Sequence, residues 1–432
     1  MDRHDQLSRT QLLLGGDLGI VESNVVLQAL ARPVITLTAE ESTVRTLAGQ
    51  VAISTAAMLA ARSGHQVFVN TPDTPLIGYQ PPMVGSSFHE GIVSVADTMI
   101  DGVRITLGLP QQASDITFVF GPSPQNFGRN TRRVVSVGCS NWSADFVDFP
   151  RQAQWTADSW PIGALAAAFL VAAETFKISG RALLPLSSRA AEFAATFNPV
   201  GSARFTLAPE DTPLYSNIGE FDLISAGAVT NAFLFSLLRV PELTGSGRAY
   251  DRDISDQTNR NRNMLLLPEW VDEPKVALFE LMSRGMVKPI PRHFEERDLG
   301  DLASQVVVGV DDIPTRWLLA RAGPAWMGVG ATTHFKCMAS VHFPYSGCAA
   351  CLHPHDEQQE GPVPTVSFVS FAAGLMVGAD LLRNASGTDV SFASRQTFLE
   401  PFHPSTVWRT PVATIPTCRA ECSASRIKPG LR

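Results

Sequence analysis

The stretch FDLISAGAVTNAFLFSLLRV, residues 221–240, decides the fold. Its apolar start predicts a strand, the small residues that follow predict a tight turn, and residues 229–238 predict a helix. A strand, a turn of small residues and a helix, in this order, are typical of a corner that binds phosphate groups. Gly227 matches only one of the usual three glycines, so an ordinary strand–helix turn is the alternative for this segment taken alone.

The same alternation of strand and helix patterns extends over both halves of the chain. Strands are predicted at 33–38, 65–70, 116–121, 133–138, 248–251 and 305–310, and helices at 47–61, 161–176 and 314–322. Strands that alternate with helices predict parallel sheets covered on both faces. A turn-rich segment after Leu207 predicts a boundary between two α/β units, residues 1–206 and 207–432.

Composition limits the classes of function. The 432 residues are 45% hydrophobic and 17% charged, which is typical of a globular protein of two or three domains. A net charge of -7 without a long basic run argues against a nucleic-acid partner. The N-terminus does not resemble a signal peptide. The apolar runs 161–173 and 364–379 fall short of the ~20 residues that span a bilayer. We therefore expect a cytoplasmic protein that does not insert into a membrane.

Polar residues follow the corner in a defined order. Taken singly, each is most simply a solvated charge at the end of a strand, so their joint spacing carries the argument. The order is Asp251, Asp253, Asn259, Arg262, Lys275, then Asp311 and Asp312 after the predicted strand 305–310.

This order resembles the signature of E1-like activating enzymes, the ThiF/MoeB/HesA group. In that family Asp-x-Asp is followed by Asn-x-x-Arg-Gln, by a lysine, and by Asp-Asn before an arginine. Here Asn263 replaces the glutamine and Asp312 replaces the second asparagine. Ser225, Ala228 and Thr230 stand where the family's loop has glycine.

The resemblance covers about residues 222–378. It implies a Rossmann-like adenylation domain preceded by a second, motif-poor α/β unit that is similar to an inactive adenylation-like half. It implies adenylation, with ATP and Mg²⁺, of the C-terminal carboxylate of a ubiquitin-like or sulfur-carrier protein. An E2-like or sulfurtransferase acceptor and a homodimer are also implied. The alternatives are an adenylase of a short ribosomal peptide and a non-catalytic E1-like binding protein.

The resemblance also assigns roles to residues. Catalytic roles fall on Arg262, Lys275 and Asp311, and the nucleotide site as a whole on Gly227, Ala228, Asp251, Asp253, Asn259, Arg262, Lys275, Asp311 and Asp312. Within that site Asp251 would bind the ribose and Asp311 the Mg²⁺. An arginine from a partner half often completes the ATP site in this family. Arg9 is a candidate for it, although a solvated N-terminal arginine is the simpler interpretation.

Four of the six cysteines form two close pairs, Cys348 with Cys351 and Cys418 with Cys422. In a large chain without a secretory signal, such pairs favour a metal site over disulfides. The first pair lies in Cys-x-x-Cys-Leu-x-Pro, and the resemblance implies that all four thiolates bind a structural Zn²⁺. A redox Cys-x-x-Cys is the alternative. The nearby His353 and His355 are interpreted as surface residues, with a role as metal ligands as the alternative.

Conjugating members of the family transfer the acyl group to a cysteine just after this motif. Residues 353–365 contain none, which leaves Cys139 and Cys337 if the other four bind zinc. Cys337 lies in an apolar run that predicts a buried strand, where a thiol is a poor nucleophile. We therefore predict that the reaction stops at the adenylate or passes it directly to an acceptor. A mobile C-terminal cysteine is the alternative.

Overall fold

A computed structural model of the chain describes residues 3–20, 22–122, 130–356, 363–388 and 393–421 and contains two β-sheets. The strands of the first sheet are β1 (Val34–Ala39), β2 (Gln66–Asn70), β3 (Ile105–Leu107), β4 (Ile116–Phe120), β5 (Val134–Cys139), β6 (Ser143–Asp148) and β7 (Ser202–Thr206). Those of the second are β8 (Asn217–Ile224), β9 (Thr244–Tyr250), β10 (Val287–Ile290), β11 (Gln305–Val308), β12 (Trp326–Thr333), β13 (Lys336–His342), β14 (Arg395–Leu399) and β15 (Val407–Pro411).

The α-helices surround these sheets. They are α1 (Arg3–Gln6), α2 (Ser8–Leu18), α3 (Ser23–Ala31), α4 (Glu41–Val44), α5 (Leu47–Arg62), α6 (Phe88–Val95), α7 (Ile162–Leu183), α8 (Ala190–Phe193), α9 (Ala228–Leu237), α10 (Lys275–Met282), α11 (Ile313–Ala322), α12 (Ala349–Leu352) and α13 (Ser367–Ala385). Short 3-10 helices lie at Leu184–Leu186, Gln257–Asn259, Pro268–Trp270 and Glu296–Asp301.

The two sheets share one strand order. The first runs β3-β2-β1-β4-β5-β6-β7 and the second β10-β9-β8-β11-β12-β13-β14-β15, which repeats that order and adds one edge strand. In each sheet five neighbouring strands are parallel, and the strands after them are antiparallel. This is a Rossmann-like α/β architecture, so the predicted fold class is confirmed. The division into domains at residue 207 stays a prediction.

The long helix α7 corrects one sequence expectation. It runs seven residues past the predicted end at 176, because Lys177 and Glu174 pair inside the protein at 2.8 Å and keep the next turn buried. Among the described residues it is the single helix with the length and hydropathy of a membrane span, and 94% of that apolar stretch is buried. Helices α2 and α3 would count as a second span only if joined across a bend of 109°. Burial of α7 is the pattern of a core helix.

Helices α9 and α13 pack closely against each other behind the predicted phosphate-binding corner. A Cβ atom on Gly374 of α13 would meet the backbone oxygen of Val229 and would lie 2.6 Å from the Phe233 nitrogen. One turn later, a Cβ on Gly378 would lie 3.7 Å from the nearest atom, which is an ordinary contact. The contact between the two helices therefore requires glycine at position 374 but not at position 378.

We expect Gly374→Ala to lower the free energy of unfolding by about 1–3 kcal/mol, because the added methyl group meets backbone that cannot move aside. The matched control Gly378→Ala, on the same face of the same helix, should be neutral or stabilise by up to about 1 kcal/mol through helix propensity. Urea unfolding of both variants measures the difference. Equal stability of the two would contradict the close helix contact.

Candidate nucleotide-binding site

A cavity of about 1020 Å³ opens at the carboxyl ends of β8, β9 and β11. Strands β9 and β11 flank β8 on opposite sides, so the chain leaves this edge in two directions. Ligands of open α/β sheets bind at such a point. The volume lies at the upper end of the range for ligand pockets, about 300–1,000 Å³. It is therefore large enough for a nucleotide and a short peptide segment.

The turn between β8 and α9 forms the floor of the cavity. Ser225 has a φ of 93°, a left-handed conformation that favours glycine. Its Oγ accepts a hydrogen bond from the Gly227 nitrogen at 2.9 Å, and its own nitrogen donates to the Tyr250 oxygen at 2.9 Å. Gly227 has a φ of -75° and precedes α9 as its N-terminal flanking residue. Ser225, and not Gly227, thus adopts the left-handed conformation that favours glycine. Gly227 and Ala228 line the cavity.

The first carboxylate after β9 fixes this turn. Asp251 is 9% exposed; its Oδ2 accepts from the Ala226 nitrogen at 2.7 Å and its Oδ1 from the Asp253 nitrogen at 2.8 Å. Each oxygen has further acceptor capacity toward the cavity. Asp251 is therefore part of the turn as well as a lining residue.

A second ion pair lines the same wall. The Lys275 Nζ lies 2.8 Å from Oδ2 of Asp253. Burial would raise the pKa of the Asp253 carboxyl, but the hydrogen bond and charge of Lys275 outweigh it and lower that pKa. Lys275 is thus held at the cavity before any ligand binds.

Two arginines approach each other in the cavity. Arg262 donates to the Thr258 carbonyl and to Oδ1 of Asn261, the latter at 2.9 Å. Burial, together with the positive charge of Arg9, lowers the pKa of Arg262 to about 10. The interpretation of Arg9 as a solvated N-terminal arginine was wrong, because helix α2 brings it against the second unit.

Arg9 lies among charged groups of both signs. Burial lowers the pKa of Arg9, and the carboxylates of Asp256 and Asp311 oppose that effect. Its Nη1 donates to the Val363 oxygen at 3.4 Å. Like charges brought together in a half-buried cavity disfavour each other, so an anion bound between them would relieve that cost.

The two aspartates after β11 make different contacts. Asp311 is exposed toward the cavity and, among the described residues, makes no hydrogen bond or ion pair. Oδ2 of Asp312 instead accepts from the Thr315 nitrogen at 2.7 Å and caps α11. Asp312 lines the cavity rim, yet a cap is its observed contact.

Asn259 also makes a capping contact. Its Nδ2 donates to Oδ1 of Asp256 at 3.2 Å, and its side chain is buried. It is not among the residues that line the cavity. Of the residues predicted to form the nucleotide site, all of them described, Asn259 alone does not line the cavity.

Arginine 316 connects the cavity to the cysteine segment. Its guanidinium donates twice to the Val310 oxygen, at 3.1 and 2.7 Å, and lies 3.3 Å from Nε2 of His353. Burial and the charge of Arg316 lower the pKa of His353 to about 4, so the ring is neutral and accepts this bond. His353 is half-buried and so less exposed than predicted, whereas His355 is exposed.

Three cysteine thiols meet beside α12. The Sγ atoms of Cys348 and Cys351 are 3.7 Å apart, and those of Cys348 and Cys418 are 3.4 Å apart. All three ligand atoms lie within 4.8 Å of one another. Sulfurs bound at about 2.3 Å around one tetrahedral ion lie under 4 Å apart, so the cluster could hold a metal ion. Cys422, the fourth predicted ligand, lies outside the described residues.

The two remaining cysteines are buried elsewhere. Burial raises the pKa of the Cys337 thiol, which lies on β13. Burial also raises the pKa of Cys139, at the end of β5, and the charge of Asp145 adds to this effect. Neither thiol is ionised near neutral pH, in agreement with the predicted burial of Cys337.

Part of the chain matches a known protein family. Residues 34–191, less than half of the chain, match the family described as the BilD N-terminal domain. No curated protein matches the chain.

Similar solved structures include those of E. coli MccB. The complex with ATP has a TM-score of 0.40 and 12% identity over 58% of this chain and 84% of MccB. The structure of MccB alone has a TM-score of 0.39 and 13% identity, and the match covers 58% of this chain and 82% of MccB. The complex with MccA-N7isoASN gives 0.39 and 13%, and there the match spans 66% of MccB, just under two thirds, and 46% of this chain.

Proposed function

We propose that this chain is an E1-like, ATP-dependent adenylyltransferase that activates the C-terminal carboxylate of a ubiquitin-like or sulfur-carrier protein. The observation that carries the proposal is the meeting of Arg9, Arg262 and Lys275 with Asp311 in one cavity at the switch point of the sheet. Three cations facing an unpaired carboxylate suit a triphosphate with its metal ion.

The side chains have separate tasks in this reaction. The carboxylate oxygen of the carrier attacks the α-phosphorus of ATP, and the bond from that phosphorus to the bridging oxygen of pyrophosphate breaks. Arg9 and Arg262 would neutralise the charge that builds on the phosphate oxygens. Lys275 would exchange part of its contact with Asp253 for a phosphate oxygen. Asp253, once released, would have an oxygen for a ribose hydroxyl beside Asp251.

Asp311 supplies the position for a metal ion. Its carboxylate is exposed and has no hydrogen-bond or ion-pair partner among the described residues. Carboxylate oxygens are the ligands that Mg²⁺ prefers. When bound there, Mg²⁺ would supply charge neutralisation on the triphosphate. Arg316 holds the carbonyl of Val310, the residue before Asp311, and so orients this carboxylate.

Two other candidate functions share the cavity. A short ribosomal peptide also presents a C-terminal carboxylate, and the cavity has room for either acyl donor. A non-catalytic binding protein would retain nucleotide binding without chemistry. Exchange of labelled pyrophosphate into ATP separates the three. The donor would be a ubiquitin-like protein or a short precursor peptide encoded beside the gene of this chain.

We expect Asp311→Ala to abolish pyrophosphate exchange with little change in Tm. Among the described residues Asp311 makes no hydrogen bond or ion pair, and it acts on Arg9 and Arg316 through its charge. Lys275→Ala should reduce the exchange rate by about 10²-fold or more, as the loss of one preorganised charged donor does. Asp97→Ala, which removes an exposed carboxylate that pairs with Arg104, is the control and should exchange normally.

Near-normal exchange by the Asp311 variant would refute the proposed role of that residue. If the unaltered chain binds MgATP but exchanges with neither donor, it is a binding protein. Exchange with the precursor peptide alone would assign the peptide substrate.

The cysteine cluster is proposed to bind structural zinc. We expect about one Zn²⁺ per chain by elemental analysis, because closed sites of cysteine ligands are typical of structural zinc. Cys348→Ser and Cys418→Ser should lose the metal and lower Tm, since metal binding contributes folding energy. Cys337→Ser is the control, because its buried thiol lies outside the cluster. Full zinc content in the Cys418 variant would show that the cluster is not the site.

We also propose that no described thiol outside the cluster receives the acyl group. A thioester requires a thiolate to attack the acyl carbon and release AMP, and burial keeps Cys139 and Cys337 protonated. Incubation with MgATP and the active donor, run on a non-reducing gel, should show no thiol-sensitive adduct. If an adduct forms, single cysteine variants, including Cys422→Ser, identify its position and the adenylate-only reaction is rejected.

A further inference from the structure

The loop that carries Arg262 is held in place from the first unit. Arg62, the last residue of α5, has a fully buried side chain. Its guanidinium donates to the carbonyl oxygens of Arg260, Met264 (3.1 Å) and Leu266 (2.9 Å). One side chain of the first unit thus binds three carbonyls of one loop of the second.

These bonds account for the burial of an arginine without a carboxylate partner. Among the described residues, no ion pair neutralises Arg62, and burial and the nearby Arg260 lower its pKa to about 9. Its position at the C-terminal end of a helix favours a cation, and the carbonyls supply the acceptors that water would otherwise provide. Loss of these acceptors would leave a buried charge uncompensated, which is strongly destabilising.

Other side chains of the first unit hold the same loop. Arg260 donates to Oδ1 of Asp101 and to the Thr98 oxygen, both at 3.0 Å. Asn261, the residue before Arg262, donates to Oγ1 of Thr10 at 3.1 Å. The two residues directly before Arg262 are therefore attached to the motif-poor half.

A reciprocal contact runs in the other direction. Arg239 follows α9, as Arg62 ends α5, and these two helices follow the first strands of their sheets. The buried guanidinium of Arg239 donates to the Pro81 oxygen at 2.8 Å, in the loop after β2. The loop that Arg62 holds follows β9, the matching strand of the second sheet. Each unit thus holds the other's loop through a buried arginine, but only the loop held by Arg62 lines the cavity.

We propose that Arg62 is a positioning residue for the nucleotide site: it fixes residues 260–266 so that Arg262 faces the cavity beside Arg9. The motif-poor unit would then contribute to catalysis through the geometry of this loop. The inference rests on the proposed use of Arg262 for phosphate, and the loop itself gives a measurement that does not.

The test compares Arg62→Met and Arg62→Lys with the matched variant Arg239→Met in the full chain. Arg62 and Arg239 are both buried and both bind carbonyls across the two units, so both methionine variants should lower Tm. Only Arg62→Met should weaken MgATP binding, by about tenfold or more, since hydrogen bonds to charged groups are worth more than neutral ones. Arg62→Lys should recover part of that affinity, and Arg239→Met should bind MgATP within about twofold of the unaltered chain.

Hydrogen exchange of the loop amides provides the second measurement. Amides of residues 259–266 should exchange faster in Arg62→Met than in Arg239→Met. If the chain does not bind MgATP at all, the exchange rates still decide whether Arg62 holds the loop. A failure of the proposed function can therefore be told apart from a failure of the inference about Arg62. If Arg62→Met does not fold, Asp101→Asn tests the same loop from its half-exposed edge and should weaken MgATP binding by about threefold. Equal affinity and equal loop exchange in the two methionine variants would overturn the proposal.

Discussion

Two guanidinium groups from different units, Arg9 and Arg262, approach each other at the edge of one sheet. Their mutual repulsion, increased by burial, has to be balanced by contacts elsewhere. Helix α2 must be anchored to deliver Arg9, and the loop after β9 must be held to deliver Arg262. The interlocking of the two units follows from this requirement, and the carboxylates of Asp256 and Asp311 partly compensate the charge.

The two sheets share an order of strands, and the large cavity described above lies at the second one. In the first unit a Cβ on Gly121, just after β4, would meet the side chain of Thr43 on helix α4. In the second unit a Cβ on the matching Gly309 would lie 2.8 Å from the Thr230 methyl carbon, and the space beyond it belongs to the cavity. A helical turn directly after β1 thus fills the volume that the small residues after β8 leave open. The different turns explain why equal topologies do not give equal sites.

Much of the fold could be predicted from the sequence because it depends on local patterns. The apolar runs and helix patterns predicted most strands and helices to within a few residues. The motif residues Asp251, Lys275 and Asp311 all line the cavity at the carboxyl edge of the second sheet. The capping role of Asp312 also has a local signal, since an aspartate before Ile-Pro-Thr is typical of a helix start.

Contacts across long separations could not be predicted in this way. The place of Arg9 depends on residues at distant positions in the chain, Asp256, Asp311 and Val363. A single arginine near the N-terminus has no periodic signal. Arg62 gave a weak signal, a lone charge at the end of an Ala-rich helix, but only the structure identifies the carbonyls that it meets. The partial burial of His353 has no local signal for the same reason, because it depends on a contact with Arg316 of another helix.

The reciprocal arginine contacts also limit how the protein can move. A hinge between the units would have to pull the buried side chains of Arg62 and Arg239 away from the carbonyls that they bind. Buried charges would then lose their hydrogen-bond partners, which costs free energy. Large rotations of one sheet against the other are therefore costly. Entry and release of ligands should depend on side-chain rearrangements at the rim, such as separation of Lys275 from Asp253. In this protein the turnover rate would be governed by local gating and by escape of product, and not by domain closure.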